Sequence, residues 1–153
     1  MNTDIQNRED IDSLMKTFYS RAIADELIGH IFTDVAKLNL ERHLPIIGDF
    51  WETILFQNGK YQSHGRSPLM VHGELNEKTP LLPEHFVRWF GIFTETVDNA
   101  FSGERADFIK VRARAIAARM LSYVGELNEH SATLPETPVE VEAIRQQPCH
   151  ARS

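Results

Sequence analysis

Seven histidines, His30, His43, His64, His72, His85, His130 and His150, are the residues with the widest chemical range in this 153-residue chain. An imidazole binds metals and moves protons near neutral pH. Their spacing excludes several metal sites. A dinuclear carboxylate bundle needs Glu-x-x-His on facing helices so that both ligands project inward. The residues three before the histidines are Leu27, Leu40, Tyr61, Leu69, Leu82, Leu127 and Gln147, so that pattern is absent. His-Glu-x-x-His, with two zinc ligands on one helical face and a base between them, is absent too. The single cysteine, Cys149, builds neither an internal disulfide nor a zinc module. No Gly-x-Ser-x-Gly turn exposes a nucleophile, and the Gly59 to Gly65 loop does not join a strand to a helix as a phosphate cradle would.

What remains is His43 and His72, with Tyr19 and Trp89 on two further segments. Each lies on, or at the start of, a stripe that should face the interior. A buried Tyr or Trp must satisfy its O–H or N–H, and a buried imidazole at least one nitrogen. Two readings are open. The four groups share a polar or metal centre inside a pocket lined by Phe18, Phe32, Phe50, Phe86, Phe90 and Phe93. Alternatively these aromatics are ordinary core and each polar tip finds a backbone carbonyl.

The elements that must position these residues read as helices. Asn7 caps a segment whose Ile11, Leu14, Met15, Phe18, Tyr19, Ala22 and Ile23 fall at helical spacing. Asp25 to Val35 repeats the pattern with Leu27, Ile28, Ile31 and Phe32. Asn39 caps a third helix with His43, Ile47, Phe50, Trp51 and Ile54 on one face. Pro45 predicts an irregular or 3₁₀ start around His43 and a regular helix from about Ile46 to Phe56. Gln57 to Pro68 reads as a loop. Leu69 to Leu75 predicts one or two helical turns around His72, and Asn76 to Pro83 a second loop. Glu84 to Phe101 is strongly periodic through Phe86, Trp89, Phe90, Phe93 and Val97. The last helix runs from about Glu104 to Glu126, with Phe108, Val111, Ala115, Ala118 and Ser122 along its predicted buried face. No alternating segment is long enough for a strand, so the class is all-α. The domain expected is 1–130, followed by a loose or partly helical tail, 131–153, that carries Pro135, Pro138 and Pro148.

At this length one domain is expected, burying about 70% of the surface its unfolded chain exposes. Hydrophobic residues make up 42%, and 16 Lys plus Arg against 22 Asp plus Glu leave a net charge of −6 with no basic run. Nucleic acid is therefore not an expected partner. A polar, acid-bearing N-terminus and the lack of a long apolar run predict neither export nor membrane insertion, and the lone cysteine suits a reducing cytoplasm.

Five segments, in order across residues 10 to about 125, carry a family resemblance. They are Ile11 to Tyr19 (IDSLMKTFY), Ile28 to Phe32 (IGHIF), His43 with Gly48 to Trp51 (GDFW), Pro68 to His72 (PLMVH), and His85 to Phe93 (HFVRWFGIF). Together they resemble the group III truncated haemoglobins. The resemblance implies a shortened globin, two helices packed over two around haem b, with His72 as the proximal iron ligand. Tyr19, His43 and Trp89 match the distal pocket, and Phe32 the aromatic beside the haem. Phe50 and Phe86 complete the expected pocket, and Arg66 and Tyr61, in the loop before His72, are the candidates for holding the propionates. Gly73 departs from the pattern, following the histidine where an apolar residue is expected, and predicts a looser short helix.

On this reading the protein reversibly binds dioxygen and other diatomic ligands, NO or CO. Neutral His72 donates through Nε2 while its Nδ1–H meets a backbone carbonyl, which favours dioxygen binding over activation. Arg42 stands about 100° around a helix from His43, so one pocket would not easily hold both. Two rivals stay open. One is a haem enzyme, a nitric oxide dioxygenase or peroxidase-like, working with a reductase. The other is a cofactor-free helical interaction module.

Overall fold

The computed structural model describes residues 2–57 and 68–132. Helix α1, Arg8–Ala24, begins where the Asn7 side chain accepts from Asp10 N, with Glu9 and Asp10 in a first turn that favours acids. Its buried stripe is Ile11, Leu14, Met15, Phe18, Tyr19 and Ala22, nearly as the spacing predicts. The next segment is not the regular helix expected. Asp25 ends α1, its carboxylate accepting from Leu27 N and Ile28 N. The chain then widens into a π-helical segment, Ile31–Val35, closed by Ala36 N on Ile31 O at 2.8 Å. Ile28 and Ile31 are buried but Leu27 is 36% exposed, because the turn rotates it off the stripe.

Helix α2, Leu40–Phe56, corrects the prediction for Pro45. It is α-helical from Leu40, with Asn39 accepting from Arg42 N, and contains Pro45 without an irregular start. The hydrogen bond that proline cannot donate would have gone to the Glu41 carbonyl, on a residue exposed to water. Arg8 fixes this stretch from α1. Its guanidinium donates to Pro45 O at 3.1 Å and to Asp49 Oδ1 and Glu52 Oε1, each at 2.7 Å, and it pairs within α1 with Asp12. One side chain thus holds three successive turns of α2. Gly48 sits under it, where a Cβ would stand 2.6 Å from Arg8 Nη2.

Helix α3, Pro68–Lys78, is longer than predicted and takes in Asn76 to Lys78, read from the sequence as loop. Asn76 holds the exit, accepting from Leu81 N at 2.8 Å. Helix α4, Pro83–Ala100, starts with proline at a position that needs no N–H, and Leu82 N donates to His85 Nδ1 at 2.9 Å. Helix α5, Glu104–Ala132, outruns its expected end at Glu126. Its start is capped by Asp4, which accepts from Arg105 N and Ala106 N, both at 2.9 Å. Gly103 there has φ +146°, and a Cβ on it would run into Asp4.

The buried face of α5 also corrects the prediction. Phe108 and Val111 are 45% and 64% exposed, and Ala115, Ala118 and Ser122 are exposed as well. The core takes Ala106, Ile109, Ala113, Ala117 and Val124 instead. Alanines on both sides leave the apolar pattern two-faced, and Ile109 and Val124, with half-buried Ile116, carry more apolar area inward than Phe108 and Val111 would.

The helices stack two over two. The pair α1 and α2 lies on the pair α4 and α5, with α1 crossing α4 and α2 crossing α5, while α3 packs on α5. Among the described residues there is no strand, and the all-α expectation holds. Phe18, Trp51 and Phe93 are buried where the layers meet.

Candidate functional site

Tyr19 and His43 come from facing helices, and Tyr19 Oη lies 2.8 Å from His43 Nε2. Burial pushes the Tyr19 phenol well above its ordinary value, so it stays protonated and is the donor. His43 Nε2 therefore accepts, which leaves the Nδ1–H tautomer. Burial, and then the nearby imidazole of His72, hold the His43 pKa below the ordinary histidine value and keep it neutral. The His72 imidazole on α3 is thus the second cause of that lowering, after burial.

An aromatic wall runs from this pair into the core. Phe32, on the π-helical segment, meets the Tyr19 ring edge-on at 5.9 Å, and Phe18 meets it at 5.1 Å. Trp89 stacks on Phe93 at 5.4 Å with an interplanar angle of 22° and takes the Phe18 edge at 5.8 Å. Trp51 closes the other side of Phe93 at 5.5 Å. Trp89 is half-buried, and its indole N–H has no hydrogen-bond partner among the described residues. Its N–H is thus a donor that none of the described residues uses. Tyr19, His43, Phe32 and Trp89 thus form one connected group.

The other candidates fall at varying distance from it. His72 is half-buried on α3. Phe50 packs edge-on against Trp51 at 5.1 Å, and Phe86, half-buried, lies one turn before Trp89 on α4. Arg66 and Tyr61 lie outside the described residues, as do His64 and His150. His30 is exposed and His85 serves the start of α4. Gly73 does not loosen α3. It is buried inside the helix, and a Cβ on it would stand 3.2 Å from Tyr123 Cε2 and 3.3 Å from Leu127 Cδ1. Tyr123 is a neighbour of this site that the sequence did not single out. The signal that pointed to it was the glycine, a place where another group approaches the backbone. Among the described residues no three His, Cys, Asp or Glu side chains stand together to cage a metal ion, and no helix is long and apolar enough to cross a membrane.

Two layers of helices over an aromatic interior, with one histidine on α2 and another on α3, have the fold of a truncated globin. The particular likeness is to the group III truncated haemoglobins, as the five sequence segments imply. The group 3 truncated hemoglobin ctb of Campylobacter jejuni is 29% identical over 133 residues, spanning 85% of this chain and all of that protein. The crystal structure of the group III truncated hemoglobin from Campylobacter jejuni superposes with a TM-score of 0.69 at 28% identity, covering 81% of this chain and 95% of that one. No family model matches the chain.

Proposed function

We propose that the chain binds haem b through His72 and holds a diatomic ligand, dioxygen above all, against Tyr19, Trp89 and His43. The residues present fit the group. A porphyrin brings four nitrogen ligands of its own, so one protein imidazole suffices where no protein-built cage exists. The observation that carries the reading is the pairing of an unspent donor with a spent one. The Trp89 N–H lacks an acceptor among the described residues, and the buried Tyr19 hydroxyl is already committed to His43. A polar ligand with a negatively polarised outer atom would satisfy the first and compete for the second.

When bound, haem iron supplies an open coordination position for a diatomic ligand. The chain's own part is to donate hydrogen bonds from Tyr19 and Trp89, to keep His43 neutral, and to exclude water with Phe32, Phe50 and Phe86. Arg66 and Tyr61 are proposed for the propionates, and a reductase is the partner this chemistry would call on to restore the ferrous state. In this reading 1–130 forms the globin domain and 131–153 a tail. The test is titration of the purified chain with haemin, followed by absorption spectra of the ferric, ferrous and carbonyl forms. One haem per chain and a histidine-ligated ferrous spectrum are expected. Free-haem spectra at every ratio would leave the cofactor-free interaction module.

A further inference from the structure

Among the described residues, the helix that carries His72 makes its main helix contact with α5, so the place of His72 is set from α5. Two fixings are visible, one turn apart. At the first, Gly73, next in sequence to His72, turns its bare Cα to α5, and the Tyr123 ring and Leu127 side chain fill the space a Cβ would take. At the second, Asn76 Nδ2 donates to Asn128 Oδ1 at 2.8 Å, while Asn76 Oδ1 accepts from Leu81 N at 2.8 Å. The Asn76 amide is thus spent on both sides and joins α3, α5 and the buried Leu81. The Tyr123 hydroxyl has no hydrogen-bond partner among the described residues, so the ring is placed by packing into the Gly73 notch and not by its polar tip.

We infer that Tyr123 and Asn128 are positioning residues for His72. They fix the depth and tilt of α3 on α5 and so set how closely the imidazole can approach a metal. The inference rests on His72 being the haem ligand. Groups hydrogen-bonded to a metal-bound histidine orient it, and their loss typically costs about 10- to 100-fold in affinity; Tyr123 and Asn128 act one step further back, on the helix that carries the histidine. A notch without a Cβ lets the Tyr123 and Leu127 side chains of α5 reach the α3 backbone, so an added methyl must push α3 or those side chains aside.

The test uses haem-loaded protein. The readouts are the iron–histidine stretching band of the ferrous, ligand-free form by resonance Raman, the rate of haem loss to an apoglobin acceptor, and the C–O stretch of the carbonyl form as a report on the opposite side. Gly73→Ala is expected to shift the iron–histidine band and to speed haem loss about tenfold, with the C–O stretch unchanged. Tyr123→Phe keeps the ring and should match wild type. Gly73→Ala combined with Tyr123→Leu makes room for the new methyl and should bring the band back towards wild type. Asn128→Ala, which leaves the notch intact, should shift the band independently, and it carries the test if Gly73→Ala fails to fold. An unchanged band in Asn128→Ala, and in Gly73→Ala if it folds, overturns the inference. A band that shifts together with the C–O stretch does so too, since that marks general loosening. A wild-type protein without any iron–histidine band fails the haem-ligand reading itself and takes this inference with it.

Discussion

Tyr19 has one proton to give, and His43 Nε2 takes it at 2.8 Å. A ligand that needs that proton must take it from the histidine, so the gain is the difference between two hydrogen bonds. Trp89 has no such commitment among the described residues, and its full hydrogen bond is available. A hydrogen bond to a charged partner is worth about 1 to 3 kcal/mol. Trp89→Phe should therefore speed dioxygen release about 5- to 150-fold, at roughly 1.4 kcal/mol per factor of ten. Tyr19→Phe should have the smaller effect, and carbon monoxide, less polarised, should respond less to either. His43→Leu has the opposite sign, because it removes the competing acceptor and frees the Tyr19 hydroxyl, so release should slow. Stopped-flow displacement on the three variants decides it. Faster release in His43→Leu, with none in Trp89→Phe, would return the donor role to the histidine. Tyr19, His43 and Trp89 were legible from spacing and family resemblance. That Tyr19 is already committed was not, because the 2.8 Å contact depends on how closely α1 and α2 approach.

That approach is set between elements, and Arg8 is one of the groups that set it. Its guanidinium holds Pro45, Asp49 and Glu52 of α2 from the first residue of α1. The Glu52 carboxylate is nearly buried, and a buried charge that loses a close cation destabilises. Arg8→Met, which keeps the packing of the stem, should cost about 1 to 3 kcal/mol of unfolding free energy in urea. Arg8 is part-exposed, and water softens the loss. The same variant should weaken the Tyr19 to His43 contact and bring dioxygen release closer to that of His43→Leu. Unchanged stability would show that apolar packing alone holds the two helices. Sequence periodicity found α1 and α4 almost to the residue, because one apolar stripe dominates each. It failed where a long-range contact rules. Pro45 reads as a disruption until Arg8 is seen on its carbonyl. The end of α3 reads as loop until Asn76 is seen bound to Asn128.

At the scale of the molecule, a two-over-two stack leaves room for only a few large side chains between its layers, and the aromatic residues fill it. Phe93 stands between Trp89 and Trp51, which ties the site on α4 to the floor of α2. The all-α class and helix order were readable from period and punctuation. The inward face of α5 was not, since its alanines satisfy either face and the choice falls to what packs against it, Gly73 of α3 against Tyr123 and Leu127 among these contacts. In the function proposed, α2 and α3 supply the two sides of one haem site, with His72 holding iron and His43 facing the ligand. It is tested most directly by comparing haem binding in His72→Ala and His43→Ala. His72→Ala is expected to lose haem or to hold it without a histidine-ligated ferrous spectrum, while His43→Ala keeps that spectrum. Retention of the five-coordinate ferrous histidine spectrum in His72→Ala, with its loss in His43→Ala, would contradict it.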